Sequence, residues 1–369
     1  MTREAPITAV RADAYTVPTD APESDGTFAW DATTMVLVSI EAGGRRGIGY
    51  TYASSASATL VNDALAPRLV GREALDTTAR DVDMARAVRN LGRDGVAAMA
   101  ISAVDVALWD LKGKLLGASL ADLLGPARDA IPAYGSGGFT SYDIATLCRQ
   151  LAGWAEGGLP AVKMKVGRDA AADRLRVAAA RRAIGSDVGL FVDANGAHTR
   201  EVALAQAEAF AQHGVAWFEE PVSSDDLDGL RALRSARPAG MAIAAGEYGF
   251  QPAYFRHMLG ADAVDAIQAD ATRCGGVSGF LAAAALADAF AVPLSSHCAP
   301  ALHVALCCAA SRAVHVEWFH DHERIEAMLF DGAPRPVAGR LAPDRSRPGL
   351  GLEFKAKDAE CWRTTSSAT

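Results

Sequence analysis

The chain of 369 residues has no apolar run long enough to cross a membrane: its longest nearly apolar stretch, Phe280 to Leu294, is broken by Asp288 and Pro293. The amino terminus, Met-Thr-Arg-Glu-Ala-Pro, lacks a basic-then-apolar leader. A basic excess is missing too. The 36 Lys and Arg against 44 Asp and Glu give a net charge of −8, which disfavours nonspecific attraction to nucleic acid or anionic lipid. None of the six cysteines forms a C-x-x-C pair, so reduced thiols are expected, with adjacent Cys307-Cys308 suited to a buried helix and Cys298 a candidate pocket wall. No G-x-G-x-x-G or G-x-x-x-x-G-K-[ST] loop follows any strand-like run. These absences leave a soluble cytoplasmic protein with a small-molecule partner as the expectation, with no nucleic acid and no membrane.

What is present divides in two. Residues 7–17, 34–41 and 47–53 are rich in Val, Ile, Thr and Tyr and read as a small antiparallel meander. The polar segment from Pro18 to Gly26 between the first two reads as a mobile loop. Helical patterns follow at 57–70, 77–91 and 95–117, the last carrying Trp109 at helical spacing. Residues 1–125 are therefore expected to form an α+β domain. From 131 the pattern becomes regular, with strand-like runs near 131–136, 161–166, 188–193, 215–219, 241–246, 264–269, 292–296 and 313–317, and alanine-rich helical segments between. Eight strands alternating with helices predict parallel pairing and closure into a (β/α)₈ barrel over 126–344. The tail 345–369 is expected to pack back on the first domain.

The ends of these runs carry the chemistry. Asp193, Glu219, Glu247, Asp270, His297 and Glu317 follow one another at intervals of 20 to 28 residues, about one strand, one helix and two loops. On a barrel they meet at one rim. Three carboxylates on consecutive strands, Asp193, Glu219 and Glu247, would repel one another unless a hard divalent cation joined them. An all-oxygen set selects Mg²⁺, with Mn²⁺ as substitute. Glu220 is expected to face away and brace the rim, because successive strand residues alternate. Lys163 and Lys165 share a strand face, so each disfavours the other's charge; Lys165, nearer the strand end, is the expected general base and Lys163 its tuner. His297 and Asp270 end neighbouring strands, where the carboxylate can fix the imidazole tautomer for a second proton-transfer group. His257, His303 and His315 are read as packed residues. Glu317, with no cationic partner evident in sequence, is either a protonated hydrogen-bond donor or a member of an ion pair.

Together K-M-K (163–165), D-A-N (193–195), F-E-E-P (218–221), A-G-E (245–247), Q-A-D-x-x-R-x-G-G (268–276) and S-S-H (295–297) make a chain that resembles the enolase superfamily, specifically its mandelate racemase subgroup, along nearly its full length. The resemblance implies a modified TIM barrel with an N-terminal α+β capping domain. It implies Mg²⁺ on Asp193, Glu219 and Glu247, and an enediolate formed from the substrate carboxylate. Lys165 and the His297–Asp270 dyad would face the α-carbon from opposite sides, Asn195 and Lys163 would assist at the metal and carboxylate, and Glu317 would donate to the enediolate oxygen. Ser136 matches a serine that lines the family's pocket. A homo-oligomer, dimer or octamer, is also implied. Because the muconate-lactonizing branch carries a lysine where this chain has Asp270, cycloisomerisation and dipeptide epimerisation are not expected.

In this family the loop near 18–31 covers the pocket. Here it offers Asp20, Glu23, Ser24, Asp25, Trp30 and Asp31, with Tyr50, Thr51 and Tyr52 nearby, a lid suited to a polyol more than to mandelate. The expected reaction is dehydration of an acid sugar, an aldonate or aldarate, to a 2-keto-3-deoxy acid. A racemase or epimerase of a 2-hydroxy acid is the second reading, and a catalytically silent binding protein the third.

Overall fold

The structure, a computed structural model, describes residues 4–364. Strands β1 (Ile7–Ser24), β2 (Ala29–Ala42) and β3 (Arg45–Tyr52) form the antiparallel meander. The expected loop at 18–26 is instead the far half of a long hairpin. Pairing slips between Pro18, which cannot donate to a ladder, and Glu23, then resumes as Glu23 with Trp30 and Ser24 with Ala29. Asp25 closes the tip: its Oδ1 accepts from the backbone N–H of Thr27 (2.6 Å) and Phe28 (2.7 Å). The long helix Val96–Leu116 lies directly on β3. A Cβ on Gly49 would sit 2.2 Å from the Ala103 carbonyl oxygen and one on Gly47 2.4 Å from that of Ala107, so only glycine permits this approach.

Eight parallel strands follow: β4 (Ile131–Gly137), β5 (Ala161–Lys165), β6 (Gly189–Asp193), β7 (Val215–Glu219), β8 (Ala242–Ala245), β9 (Ala266–Ala269), β10 (Leu294–Ser296) and β11 (Ala313–Phe319). They hydrogen-bond in sequence order and β11 closes onto β4, with a helix after every strand. All eight lie within two residues of the strands predicted from sequence. Helix starts are set by side-chain caps: Asp143, Asp169, Thr199 and Asp226 each accept from a backbone N–H in the first turn. Inside the barrel, Tyr134, Phe191, Trp217 and His315 stack edge and face into a plug, with ring centroids 4.7 to 5.6 Å apart for the contacts of His315. His315, as expected, is a packed residue below the rim.

The tail returns to the first domain, where Leu350 N–H donates to Asp110 and Arg363 pairs with Asp13. Residues 365–369 of that expected tail lie outside the described residues, as do 1–3. No helix among the described residues is long and apolar enough to cross a membrane.

Two buried carboxyls join the domains. Asp105 accepts from the backbone and hydroxyl of Ser278, and burial pushes its carboxyl up to about 7. Glu326 accepts from Tyr50 Oη (2.6 Å) and Ala301 N–H (2.9 Å), and burial pushes it up to about 8. A carboxyl whose folded pKa lies above its unfolded one stabilises the fold when protonated, and that stability is lost as pH rises through the folded value. The unfolding temperature is therefore expected to be lower at pH 9 than at pH 6, and Glu326→Gln should narrow the gap. Scanning calorimetry at both pH values checks this; an unchanged gap in the variant contradicts it.

Candidate active site

Asp193, Glu219 and Glu247 leave the ends of β6, β7 and β8, and one oxygen of each lies within 4.8 Å of the other two. All three are buried. Lys163 and Lys165 rise from β5 on one face. Lys163 Nζ donates to both Glu219 oxygens and to Glu317 Oε1, each at 2.7 Å, while Lys165 Nζ donates to Asp193 and, at 3.1 Å, to Asn195 Oδ1.

These contacts revise two expectations. Burial alone would depress the lysine charges, but Asp193 outweighs it and holds Lys165 above the ordinary lysine range; Glu219 and Glu317 do the same for Lys163. The mutual repulsion that was to make Lys165 a neutral base is therefore overruled by the carboxylates. Glu317 has the cationic partner that sequence did not reveal. Lys163 holds it well below the usual carboxylate range against the opposing effect of burial, and its second oxygen accepts from Cys298 N–H at 2.6 Å. It is an ion-pair member here and not a protonated donor.

Glu220 stands just outside the ladder. The strand ends at Glu219, Glu220 takes a left-handed φ of 37°, and alternation stops. Glu220 is buried with Oε1 unpartnered, and burial followed by the charges of Glu247, Asp193 and Glu219 pushes its carboxyl well up. It lines a separate pocket with Ser223 and Tyr254, outside the wall of the cavity that Lys165 and His297 line. Five buried carboxylates (Asp193, Glu219, Glu247, Asp270, Glu317) then face three cations, Lys163, Lys165 and Arg273, whose guanidinium lies 3.4 Å from Glu247 Oε1, and Glu247 Oε2 is buried without a hydrogen-bond partner. Surplus negative charge and an orphaned oxygen fit a hard divalent cation at Asp193, Glu219 and Glu247.

Across the cavity, His297 Nδ1 bonds Asp270 Oδ2 at 2.8 Å and Nε2 lies 3.3 Å from Glu247 Oε2. Burial would raise Asp270, but the His297 bond outweighs it and keeps the carboxylate ionised. In the eight-strand ring β10, whose end is followed by His297, stands three strands from β5 one way and five the other, so Lys165 and His297 enter one cavity from nearly opposite walls. That cavity, about 470 Å³, is lined by both groups and by Asn195, Glu247, Arg273, Cys298, Glu317 and His322, under a roof from the hairpin. His303 is a packed residue: Nε2 accepts from Ala271 N–H at 2.8 Å. His257 sits on the surface.

Of the expected substrate contacts, Asn195, Trp30, Tyr52 and Cys298 line the cavity. Ser136 does not: it is fully buried outside the cavity wall, with Oγ unpartnered. The polar lid is also smaller than expected. Tyr50 and Thr51 spend their hydroxyls on Glu326 and the Thr272 carbonyl, Glu23 on Trp30 Nε1, and Asp20 pairs with Arg324 and His320. Asp25, Thr27, Thr33, Thr34 and Tyr52 line the cavity beside Phe28, Trp30 and Phe319, but their polar atoms too are bonded within the protein: Thr27 to Asp25, Thr33 to Asp321, Thr34 to Thr16 and Tyr52 to the His322 carbonyl. Arg273 and His322 are among the wall residues that went unassigned in sequence. Arg273 donates to the Glu247 carbonyl at 3.1 Å and lies three positions after Asp270, a spacing visible in the motif; His322, stacked on Tyr52 with centroids 3.4 Å apart, gave no signal.

Gly26 seats the hairpin on the barrel. A Cβ there would meet the carbonyl oxygens of Ala194 (2.5 Å) and Val166 (2.8 Å), which lie just past β6 and β5. Gly26→Ala is expected to lift the lid and lower kcat/KM about ten- to a hundred-fold with little change in unfolding temperature. Steady-state kinetics with a thermal melt check this; wild-type kcat/KM would contradict it.

Residues 144–359 match the family described as "Enolase C-terminal domain-like", and residues 11–125 match "Mandelate racemase / muconate lactonizing enzyme, N-terminal domain". The chain belongs to the mandelate racemase/muconate lactonizing enzyme family of the enolase superfamily. Among solved structures it is similar to a mandelate racemase/muconate lactonizing enzyme-like protein from Rubrobacter xylanophilus, with TM-score 0.95 and 51% identity over 97% of this chain and 99% of that one. A 3,6-anhydro-alpha-L-galactonate cycloisomerase from Streptomyces coelicolor is 34% identical over 95% of this chain and 98% of its own length. L-talarate/galactarate dehydratase from Salmonella typhimurium is 32% identical over 78% of this chain and 74% of its own length. Its structure superposes with TM-score 0.91 over 98% and 93% of the chains at 28% identity, and a variant of it was crystallised with Mg and L-glucarate.

Proposed function

We propose that the chain is a Mg²⁺-dependent acid-sugar dehydratase, a hydro-lyase that converts an aldonate or aldarate to a 2-keto-3-deoxy acid. The observation that carries this reading is the pair of proton carriers, Lys165 and His297, on facing walls of one cavity beside a carboxylate triad with surplus negative charge. Asp193, Glu219 and Glu247 would hold the metal. Bound there, Mg²⁺ (or Mn²⁺) neutralises part of the charge that now fixes Lys165 as an ammonium, and polarises a substrate carboxylate.

The remaining steps belong to the chain's own groups. Lys165 Nζ and His297 Nε2 divide the proton work: one takes the α-hydrogen and the other gives a proton to the departing β-hydroxyl, which leaves as water. The enol that remains ketonises to the 2-keto-3-deoxy acid. Asp270 keeps the imidazole oriented throughout. Lys163, fixed between Glu219 and Glu317, supplies positive charge toward the substrate carboxylate, and Glu317 positions Lys163. Asn195 steers Lys165, while Trp30, Tyr52 and Cys298 shape the walls.

The Streptomyces relative supports a second reading. The ether oxygen of a 3,6-anhydro acid sits on the β-carbon, so the same α-proton loss could expel a ring oxygen in place of water. This reading runs against the expectation drawn from Asp270. A screen of aldonic, aldaric and anhydro sugar acids with Mg²⁺, read by semicarbazide for keto product and by mass for loss of water, separates the two. No keto product from any of them, with α-hydrogen exchange in D₂O on a simple 2-hydroxy acid, would replace both with a racemase. A dimer or octamer belongs to the same reading and is checked by light scattering.

A further inference from the structure

A second donor set lies against the carboxylate triad and differs from it chemically. His297 Nε2, Cys298 Sγ and a Glu317 oxygen lie within 4.8 Å of one another, on three buried residues that all line the cavity. The triad offers oxygen alone; this set offers nitrogen, sulfur and oxygen, the choice of a borderline-soft ion. Sγ stands 3.3 Å from Nε2. Zinc bonds of about 2.3 Å to sulfur and about 2.0 Å to nitrogen, opened at a tetrahedral angle, put those two atoms ~3.5 Å apart, so little movement is needed.

The imidazole is already oriented as in many zinc sites. Nδ1 faces Asp270 Oδ2 at 2.8 Å, and Asp270 is fixed through its other oxygen by Thr272 N–H at 2.7 Å, which turns Nε2 toward Cys298 Sγ and Glu247 Oε2, each 3.3 Å away. Cys298 reaches its place through a left-handed φ of 51°, followed by 39° at Ala299. Two consecutive non-glycine residues in that region are costly, and they turn the thiol back toward the ring of its own neighbour. The fourth position faces the cavity, which supplies an entry path and room for water.

We propose that His297, Cys298 and Glu317 form an inhibitory zinc site that captures the proton-transfer imidazole. As the sulfur–zinc bond forms, the thiol proton passes to solvent, and the Nε2 lone pair, now coordinated, no longer accepts a proton. Mg²⁺ prefers the all-oxygen triad, so excess Mg²⁺ does not relieve the inhibition.

The test reads metal binding and needs no turnover, so its outcome is independent of which reaction the cavity performs. Protein saturated with Mg²⁺ is titrated with Co²⁺ as a spectroscopic stand-in, and with Zn²⁺ against a chromophoric chelator. The wild type should show a near-ultraviolet sulfur-to-cobalt charge-transfer band. Cys298→Ser should abolish it, and Cys298→Ser and His297→Asn should each weaken Zn²⁺ binding at least ten-fold. Cys361→Ser, altering an exposed thiol, should keep the band. A band that survives Cys298→Ser or vanishes in Cys361→Ser overturns the proposal, as does equal Zn²⁺ affinity in the wild type and both site variants.

Discussion

Replacing Lys165 with alanine is expected to lower turnover of the acid sugar by about 10²–10⁴-fold, the range for loss of a positioned acid or base. His297→Asn should fall as far, because asparagine can still donate to Asp270 but cannot relay a proton. The two carriers act in one sequence, so the double variant should be little worse than either single one. Exchange of the α-hydrogen in D₂O adds a finer reading: the variant that keeps the abstracting group can retain exchange while forming no product. Turnover within ten-fold of wild type in either variant would remove that residue from the chemistry. Lys165→Ala leaves Asp193 without its ammonium, so thermal melts with Mg²⁺ present should accompany the kinetics.

Chelation should abolish turnover, and Mg²⁺ or Mn²⁺ should restore it. The physical ground is the charge imbalance, five buried carboxylates (Asp193, Glu219, Glu247, Asp270, Glu317) around Lys163, Lys165 and Arg273, with an orphaned oxygen on Glu247. The same imbalance predicts a rise in stability on metal binding. At a free Mg²⁺ concentration 100-fold above Kd, linkage contributes about 2.7 kcal/mol, a shift of several degrees in a melt. Glu247→Gln should remove most of that shift and cut Mg²⁺ affinity by about 10²-fold or more. Full activity in chelator, or an undiminished shift in Glu247→Gln, would contradict the assignment.

The barrel was legible because its signal is local and periodic: each strand is a short buried run, the helices after β4 to β7 begin at a capping Asp or Thr, and the acids recur once per unit. The rim residues follow from that period alone. Cross-ring partnerships do not. Lys163 meets Glu317 because β11 closes onto β4 and brings the last strand within one neighbour of β5, which no spacing reveals. Glu220 could not be placed by alternation, which holds only within a strand, because the chain leaves β7 one residue earlier. Its left-handed backbone, like that of Asn195, Cys298 and Ala299, concentrates strain on the functional rim. The lid was misjudged for a related reason. Polar composition marked 18–26 as loop, yet pairing with β2 turned it into a hairpin whose hydroxyls and carboxylates mostly bind their own scaffold.

The account rests on a cation held by Asp193, Glu219 and Glu247 between two proton carriers. A crystal structure with Mn²⁺ and an unreactive sugar hydroxamate tests it most directly. The expected result is an anomalous peak among those three carboxylates, with the carbon corresponding to the α-carbon placed between Lys165 Nζ and His297 Nε2 on opposite faces. Manganese elsewhere, or both nitrogens on one face of that carbon, would contradict it.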